Sequence, residues 1–164
     1  VHETGVDLPS YLRTLRAPYA ALSLTEITAH VASPDVRKIM ELVEARTVSV
    51  LEYERCLALR RQLQASYAHA FVTHDVAAVV YPTVPMAPPP RGDDVTTIHN
   101  GRHVEVFQTS TRNTSPGSVA GIPSVSLPVA LGAPWPPVGC SVEGPAGEDR
   151  SLLRLAAAVE TVVS

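Results

Sequence analysis

The chain has 164 residues, with 13 Lys+Arg against 16 Asp+Glu, a formal net charge of −3 and 45% apolar residues. No apolar run approaches the ~18 residues of a membrane span, and the basic residues are too scattered to neutralise a phosphate backbone, so the composition argues against membrane and nucleic-acid partners. One domain is the expectation at this length, since a chain of roughly 150 residues buries about two thirds of its unfolded surface.

The pattern divides into a helical segment, 1–74, and a strand-and-loop segment, 75–164. Asp7 is placed to cap a short helix with Leu8, Tyr11, Leu12 and Leu15 on one face. Ser23 with Glu26 has capping-box spacing for a helix from Leu24 to Val31, and Ser33-Pro34 reads as N-cap and first position of another, carrying Val36, Ile39, Met40 and Val43. Ser49 with Glu52 repeats the capping box and opens the longest helix, Val50 to Thr73, with Leu51, Leu59, Leu63, Tyr67 and Phe71 among its apolar positions and Arg55, Arg60 and Arg61 toward water.

After His74-Asp75 the period changes. Val76 to Tyr81 is a continuous apolar run, read as a buried strand with helices on both sides of its sheet, which makes the class α/β. Its exit, Pro82 to Pro90, is proline-framed and irregular, and loops at strand ends are where open sheets place ligands. Thr96 to His99 and Arg102 to Phe107 flank Asn100-Gly101, a strong hairpin signal. Thr109 to Pro123 is polar, rich in Ser, Thr, Asn and Gly, and reads as a loop facing a ligand or another segment. Ser124 to Ala130 and Val138 to Glu143 read as strands joined by the turn from Gly132 to Pro137, and a last helix from about Asp149 to Val162 buries Leu152, Leu153, Leu155, Ala156 and Val159.

Side chains able to carry chemistry have structural readings. His99 and His103 would share a helix face only without the Asn100-Gly101 turn between them, so no metal site is expected. His30, His69 and His74 sit near helix ends, where they meet exposed carbonyls. Ser118 is the best internal nucleophile, yet it lacks a Gly-x-Ser-x-Gly elbow and an assignable base. Asp93 and Asp94 read as turn residues, and Glu148 and Asp149 as a helix start. Cys56 and Cys140 fit neither a disulfide framework nor a zinc pattern, and both are expected to be reduced and buried. On these grounds the chain is an α/β piece with a polar, proline-framed pocket edge.

The segment Asp75 to Pro88, with Pro82-Thr83-Val84-Pro85-Met86-Ala87-Pro88 at its end, resembles the "D-apolar run-P-T-x-P-x-A-P" stretch in the carboxyl-terminal part of amidase-signature hydrolases. Thr111-Arg112-Asn113, Gly121-Ile122-Pro123 through Pro128, Pro137-Val138-Gly139, and Glu143-Gly144-Pro145 through Leu153 follow in that family's order and spacing. Arg112 to Ser118, with Gly5 to Leu12, resembles the mandelamide and indoleacetamide hydrolase branch. The resemblance implies a mixed β-sheet core flanked by helices, and hydrolysis of a carboxamide, with aryl-acetamides as the class this branch suggests, to acid and ammonia through an acyl-enzyme, without a cofactor or metal and in the cytoplasm.

Such enzymes use a Ser–cis-Ser–Lys triad, in which a Gly-rich stretch supplies the nucleophile and the bridging Ser and an upstream Lys acts as the base. This sequence has no Ser-Ser pair and no Gly-Gly pair, and its sole lysine, Lys38, lies in an amphipathic helix among Asp35, Arg37 and Glu41, where it reads as solvated. The resemblance therefore implies the carboxyl-terminal third of a single amidase domain. The expected partners are a triad-bearing amino-terminal amidase chain or segment and a small amide substrate. The start at Val1, without Met or a signal peptide, reads as the product of processing, as a split gene or as the edge of an excised piece. A catalytically inactive binding or interaction module derived from the same fold is the alternative. By resemblance Thr83, Phe107, Gln108, Thr111, Asn113, Gly117 and Ile122 are expected on the acyl side of the substrate, with Phe107 and Ile122 against a ring. Thr83 and Asn113 serve a scaffold equally well.

Overall fold

A computed structural model describes residues 1–129 and 138–163. The turn expected from Gly132 to Pro137, and Ala130 at the end of its preceding strand, lie outside the described residues. The chain forms two compact units, Val1–Ala58 and Leu59–Ser164.

The first unit holds helices α1 (His2–Leu12), α2 (Leu24–His30), α3 (Pro34–Glu44) and the first turns of α4 (Val50–His74), with a 3-10 turn at Tyr19–Ala21. Leu12, Met40 and Val43 form its buried apolar residues, and Thr28 is buried with its hydroxyl donating to the Leu24 carbonyl at 2.9 Å. Asp7 is not a cap: α1 begins at His2 and runs through it. Packing outweighs the local capping preference here: Gly5 lies against Val43, whose Cγ1 is 3.5 Å from where a Cβ on Gly5 would stand, an ordinary contact distance. The helix start is also tied down by His2, stacked on Tyr53 at 4.3 Å, with Nδ1 3.2 Å from the Val48 carbonyl. Ser33 precedes Pro34 as expected, without a side-chain cap bond. Lys38 is exposed on α3, and Cys56 is exposed on α4, against the expectation of burial.

Both capping boxes form. The Glu26 carboxylate accepts from the Ser23 N–H at 2.8 Å, and the Glu52 carboxylate from the Ser49 N–H at 2.9 Å; each serine hydroxyl accepts the glutamate N–H in return, at 3.2 and 3.3 Å. The Ser49 hydroxyl and N–H hold the Glu52 carboxyl below its ordinary value, and the Ser23 N–H and hydroxyl do the same for Glu26. A depressed folded-state pKa contributes stability above the unfolded value that is lost as pH falls through the folded one. Ser49→Ala therefore lowers the urea midpoint at pH 7, and its gap to the parent chain narrows as the pH drops below the unperturbed 4.5.

The second unit contains the rest of α4, strands β1 (Val79–Pro82), β2 (Thr96–His99) and β3 (Arg102–Glu105), helices α5 (Val106–Thr111) and α6 (Ser115–Ala120), strands β4 (Ser124–Val129) and β5 (Val138–Glu143), and α7 (Asp149–Val163). The α/β class holds. Among the described residues both sheets are antiparallel: β1-β5-β4, and the β2-β3 hairpin, whose turn residues Asn100 and Gly101 take φ of 51° and 74°.

Register sorts the three-stranded sheet into two unlike faces. Val125 pairs with Val142 and Leu127 with Cys140, and this face packs Leu127 and Val142 against Leu152 and Ala156 of α7. The opposite face carries Ser124 with Glu143, Ser126 with Ser141 and Pro128 with Gly139, joined by Val79 and Tyr81 of β1. Leu153 points away from this core and is 60% exposed.

Three expectations change in this unit. The run Val76 to Tyr81 is not a buried strand: pairing begins at Val79, and Val79 and Val80 are 39% and 56% exposed, because β1 is an edge whose only partner among the described residues is β5. The strand expected to reach Phe107 stops at Glu105, and the polar stretch 109–123 is mostly helical, in α5 and α6. Those helices are too short for a 3.6-residue apolar period to show. Hydroxyls assist them, Thr114 and Ser115 both donating to the Thr111 carbonyl at 3.3 and 2.8 Å, and Gly121, at φ 74°, ends α6 in the left-handed conformation.

Candidate functional site

The seven expected pocket residues fall into separate settings within the second unit. Thr83, just past β1, donates its N–H to the Gly139 carbonyl at 2.8 Å, while its hydroxyl meets those of Ser126 at 2.7 Å and Ser141 at 2.8 Å. Asn113 is at the same strand exit, its side-chain N–H donating to the Pro82 carbonyl at 2.7 Å. Both therefore hold the loop that leaves β1. Phe107 and Gln108 lie exposed on α5, and the Thr111 hydroxyl donates to the Phe107 carbonyl at 2.9 Å within the same helix.

Ile122 is elsewhere. It lines an apolar groove of about 560 Å³ with Ala68, Phe71 and Val72 of α4 and Asp75 and Val76 beyond it. Ile122 precedes Ser124, which pairs with Glu143 opposite Val79, whereas Thr83 bonds Gly139 at the other end of the same strands. Four residues of strand, roughly 13 Å, separate the two ends. The structure thus joins Thr83 with Asn113 at one end of β1 and places Ile122 at the other. The proline run Pro88–Pro90 lines a separate, smaller cavity of about 160 Å³ with the β2-β3 hairpin.

Gly117 lies between these ends and reveals a residue that the sequence reading did not single out. A Cβ on Gly117 would collide with the carboxylate of Glu143, whose Cδ is 2.8 Å from that position. Glu143, at the end of β5, is 2% exposed. Its Oε1 accepts the Tyr81 phenol at 2.6 Å, and the Tyr67 phenol of α4 lies close enough to the same carboxylate to feel its charge. Burial first, and the Glu143 carboxylate second, push both phenols above their usual value, the more so at Tyr81. The alternation in Val138-Gly139-Cys140-Ser141-Val142-Glu143 was the available signal, since period two places Gly139, Ser141 and Glu143 on one face.

Among the described residues no group of three His, Cys, Asp or Glu side chains could hold a metal ion, and no helix is long and apolar enough to cross a membrane. His99 is engaged by the Asn100 side chain at 3.2 Å, and Ser118 is exposed within α6. Cys140 is half-buried in β5.

Comparison with known proteins places this architecture. Residues 7–153 match the family described as Amidase. The chain is 37% identical over 145 residues to an indoleacetamide hydrolase of Agrobacterium vitis, covering 87% of the chain and 31% of that protein. It is 33% identical over 175 residues to a mandelamide hydrolase of Pseudomonas putida, covering 99% of the chain and 33% of that protein. A solved structure titled as an amidase superposes with a TM-score of 0.71 at 25% identity, covering 99% of the chain and 36% of that structure's chain. The chain spans about a third of the length of the curated relatives it matches. With the family match running over residues 7–153, the chain belongs to the amidase family.

Proposed function

We propose that this chain is the carboxyl-terminal part of an amidase that hydrolyses a carboxamide to acid and ammonia through an acyl-enzyme, the Ser-Ser-Lys triad being supplied by an amino-terminal segment or partner chain. The carrying observation is a family match over residues 7–153 in a chain that spans about a third of its relatives. The surface supports a covering partner: among the described residues β1 pairs only with β5, and Val72, Val76 and Val80 are exposed. Aryl-acetamides are the proposed substrate class, from the two amide hydrolases named above. Of the seven pocket candidates, Ile122 faces the ring of the substrate from the groove with Phe71, while Thr83, Asn113, Thr111 and Gly117 hold the surrounding loops, and Phe107 and Gln108 meet substrate from α5.

The test is reconstitution with a triad-bearing amidase segment, read by ammonia release from indoleacetamide and phenylacetamide. A complex that forms and turns over either amide is the expected result; a stable monodisperse monomer that binds no such segment, with no ammonia released, overturns it. In the active assembly Ile122→Ala shifts the ratio of kcat/KM between an aryl-acetamide and acetamide by about tenfold, the scale of one or two methylenes in an apolar pocket. An unchanged ratio removes Ile122 from the pocket.

A further inference from the structure

Glu143 has no place in the triad chemistry or in the groove, yet its carboxylate is buried at the meeting point of three elements. Tyr81 approaches it from β1, Tyr67 from α4, and Gly117 from α6. A buried carboxyl is costly unless its oxygens receive hydrogen bonds, and an apolar side chain of similar volume would serve stability as well or better. What the carboxylate adds is direction, because it fixes the Tyr81 phenol beside Tyr67 and admits only a residue without a side chain at position 117.

The connection to the groove is short. The Ile122 N–H donates to the Gly117 carbonyl at 3.0 Å, so the position of Gly117 sets that of Ile122. On the same face of α4 as Tyr67, Gln64 donates to the Ala120 carbonyl at 2.9 Å, and Gln64, Ala68 and Phe71 line the groove with Ile122. Helix α6, which ends two residues before Ile122, is therefore held at two points, by Glu143 at Gly117 and by Gln64 at Ala120.

We propose that Glu143 is a positioning residue, clamping α6 against α4 and β1 so that the groove at Ile122 keeps the shape that fits a substrate. This rests on the functional reading above only in what fills the groove; the clamp itself is a property of the 164-residue chain. Three variants and one pair test it by hydrogen exchange over residues 113–122 and, in the reconstituted enzyme, by separate kcat and KM.

Glu143→Ala removes the acceptor, and Gly117→Ala drives a methyl into it; each raises exchange over 113–122 about tenfold or more while amides of β4 and β5 around Leu127 and Val142 change less than about twofold. KM for the aryl-acetamide rises about tenfold and kcat stays within about twofold, as expected when substrate fit is lost and the chemical step is not. Glu143→Gln, which keeps the shape and one carbonyl acceptor, restores most of both. In the pair Gly117→Ala with Glu143→Ala the new methyl enters the space the carboxylate left, so the double variant is milder than the product of the single effects.

Exchange over 113–122 that is unchanged in Glu143→Ala, or that rises equally throughout the unit, overturns the clamp, as does simple additivity in the pair. A fall in kcat with KM unchanged overturns the positioning role. If the assembly of parent chains hydrolyses no amide, the functional reading fails by itself, and the exchange measurements still decide the clamp.

Discussion

Val142→Asp is expected to unfold the Leu59–Ser164 unit, giving a chain without a cooperative thermal transition and with exchange at the unprotected rate along β4 and β5. Val142 is 0% exposed and sits with Leu127, Leu152 and Ala156, the apolar face of the sheet under α7. A carboxylate there is taken out of water with no hydrogen-bond donor facing it, at a cost of several kcal/mol. Total stabilities of about 0.05–0.15 kcal/mol per residue leave a unit of this size little beyond that. The adjacent residue provides the control within the same strand. Glu143 is also a buried carboxyl group, but it points to the other face and receives the Tyr81 phenol at 2.6 Å. Identical chemistry one residue apart is thus tolerated on one face and ruinous on the other. Val142→Ala, which only deletes methyl groups, costs about 1–3 kcal/mol and leaves a cooperative transition at lower temperature. A cooperative, near-parental melt for Val142→Asp would show that the face under α7 is wet or mobile, contrary to its packing.

That contrast also explains what the sequence revealed of this fold. Signals that depend on a few adjacent residues were legible: the Ser23/Glu26 and Ser49/Glu52 boxes, the Asn100-Gly101 turn, the start of β5 at Val138 and the long helix α4. Helix α1 was misplaced because its start depends on Gly5 packing against Val43, a contact between residues 38 apart in sequence. The apolar run Val76 to Tyr81 looked buried because hydrophobicity reports what a strand is suited to meet, and among the described residues β1 meets only β5. The same gap between suitability and contact separates Ile122 from Thr83. Both lie in family landmarks, yet the antiparallel register carries them to opposite ends of β1. Glu143 is not legible from its own segment, because its meaning lies in Tyr67, Tyr81 and Gly117, which the chain brings together from three separate elements.

Gly139→Ala is the other substitution of large effect, expected to cost about 3 kcal/mol and to lower the melting temperature by at least ~10 °C. Its Cβ would stand 2.8 Å from the Thr83 hydroxyl oxygen and 3.0 Å from both Thr83 Cβ and the Ser126 hydroxyl. Relief by movement is blocked, because the Thr83 N–H is itself bonded to the Gly139 carbonyl at 2.8 Å, so pushing the threonine back breaks a backbone hydrogen bond. Rotation of the Thr83 side chain instead releases the hydroxyls of Ser126 and Ser141, and Ser141 is 1% exposed, leaving a buried hydroxyl unpartnered at about 1–3 kcal/mol. Thr83→Ala alone loses those two hydrogen bonds without a clash. Combined with Gly139→Ala it removes the atom that the new methyl strikes first, so the pair is destabilised by less than the sum of its members. Thermal melts of the four chains measure this coupling. Strict additivity would mean that the Thr83 side chain does not constrain Gly139.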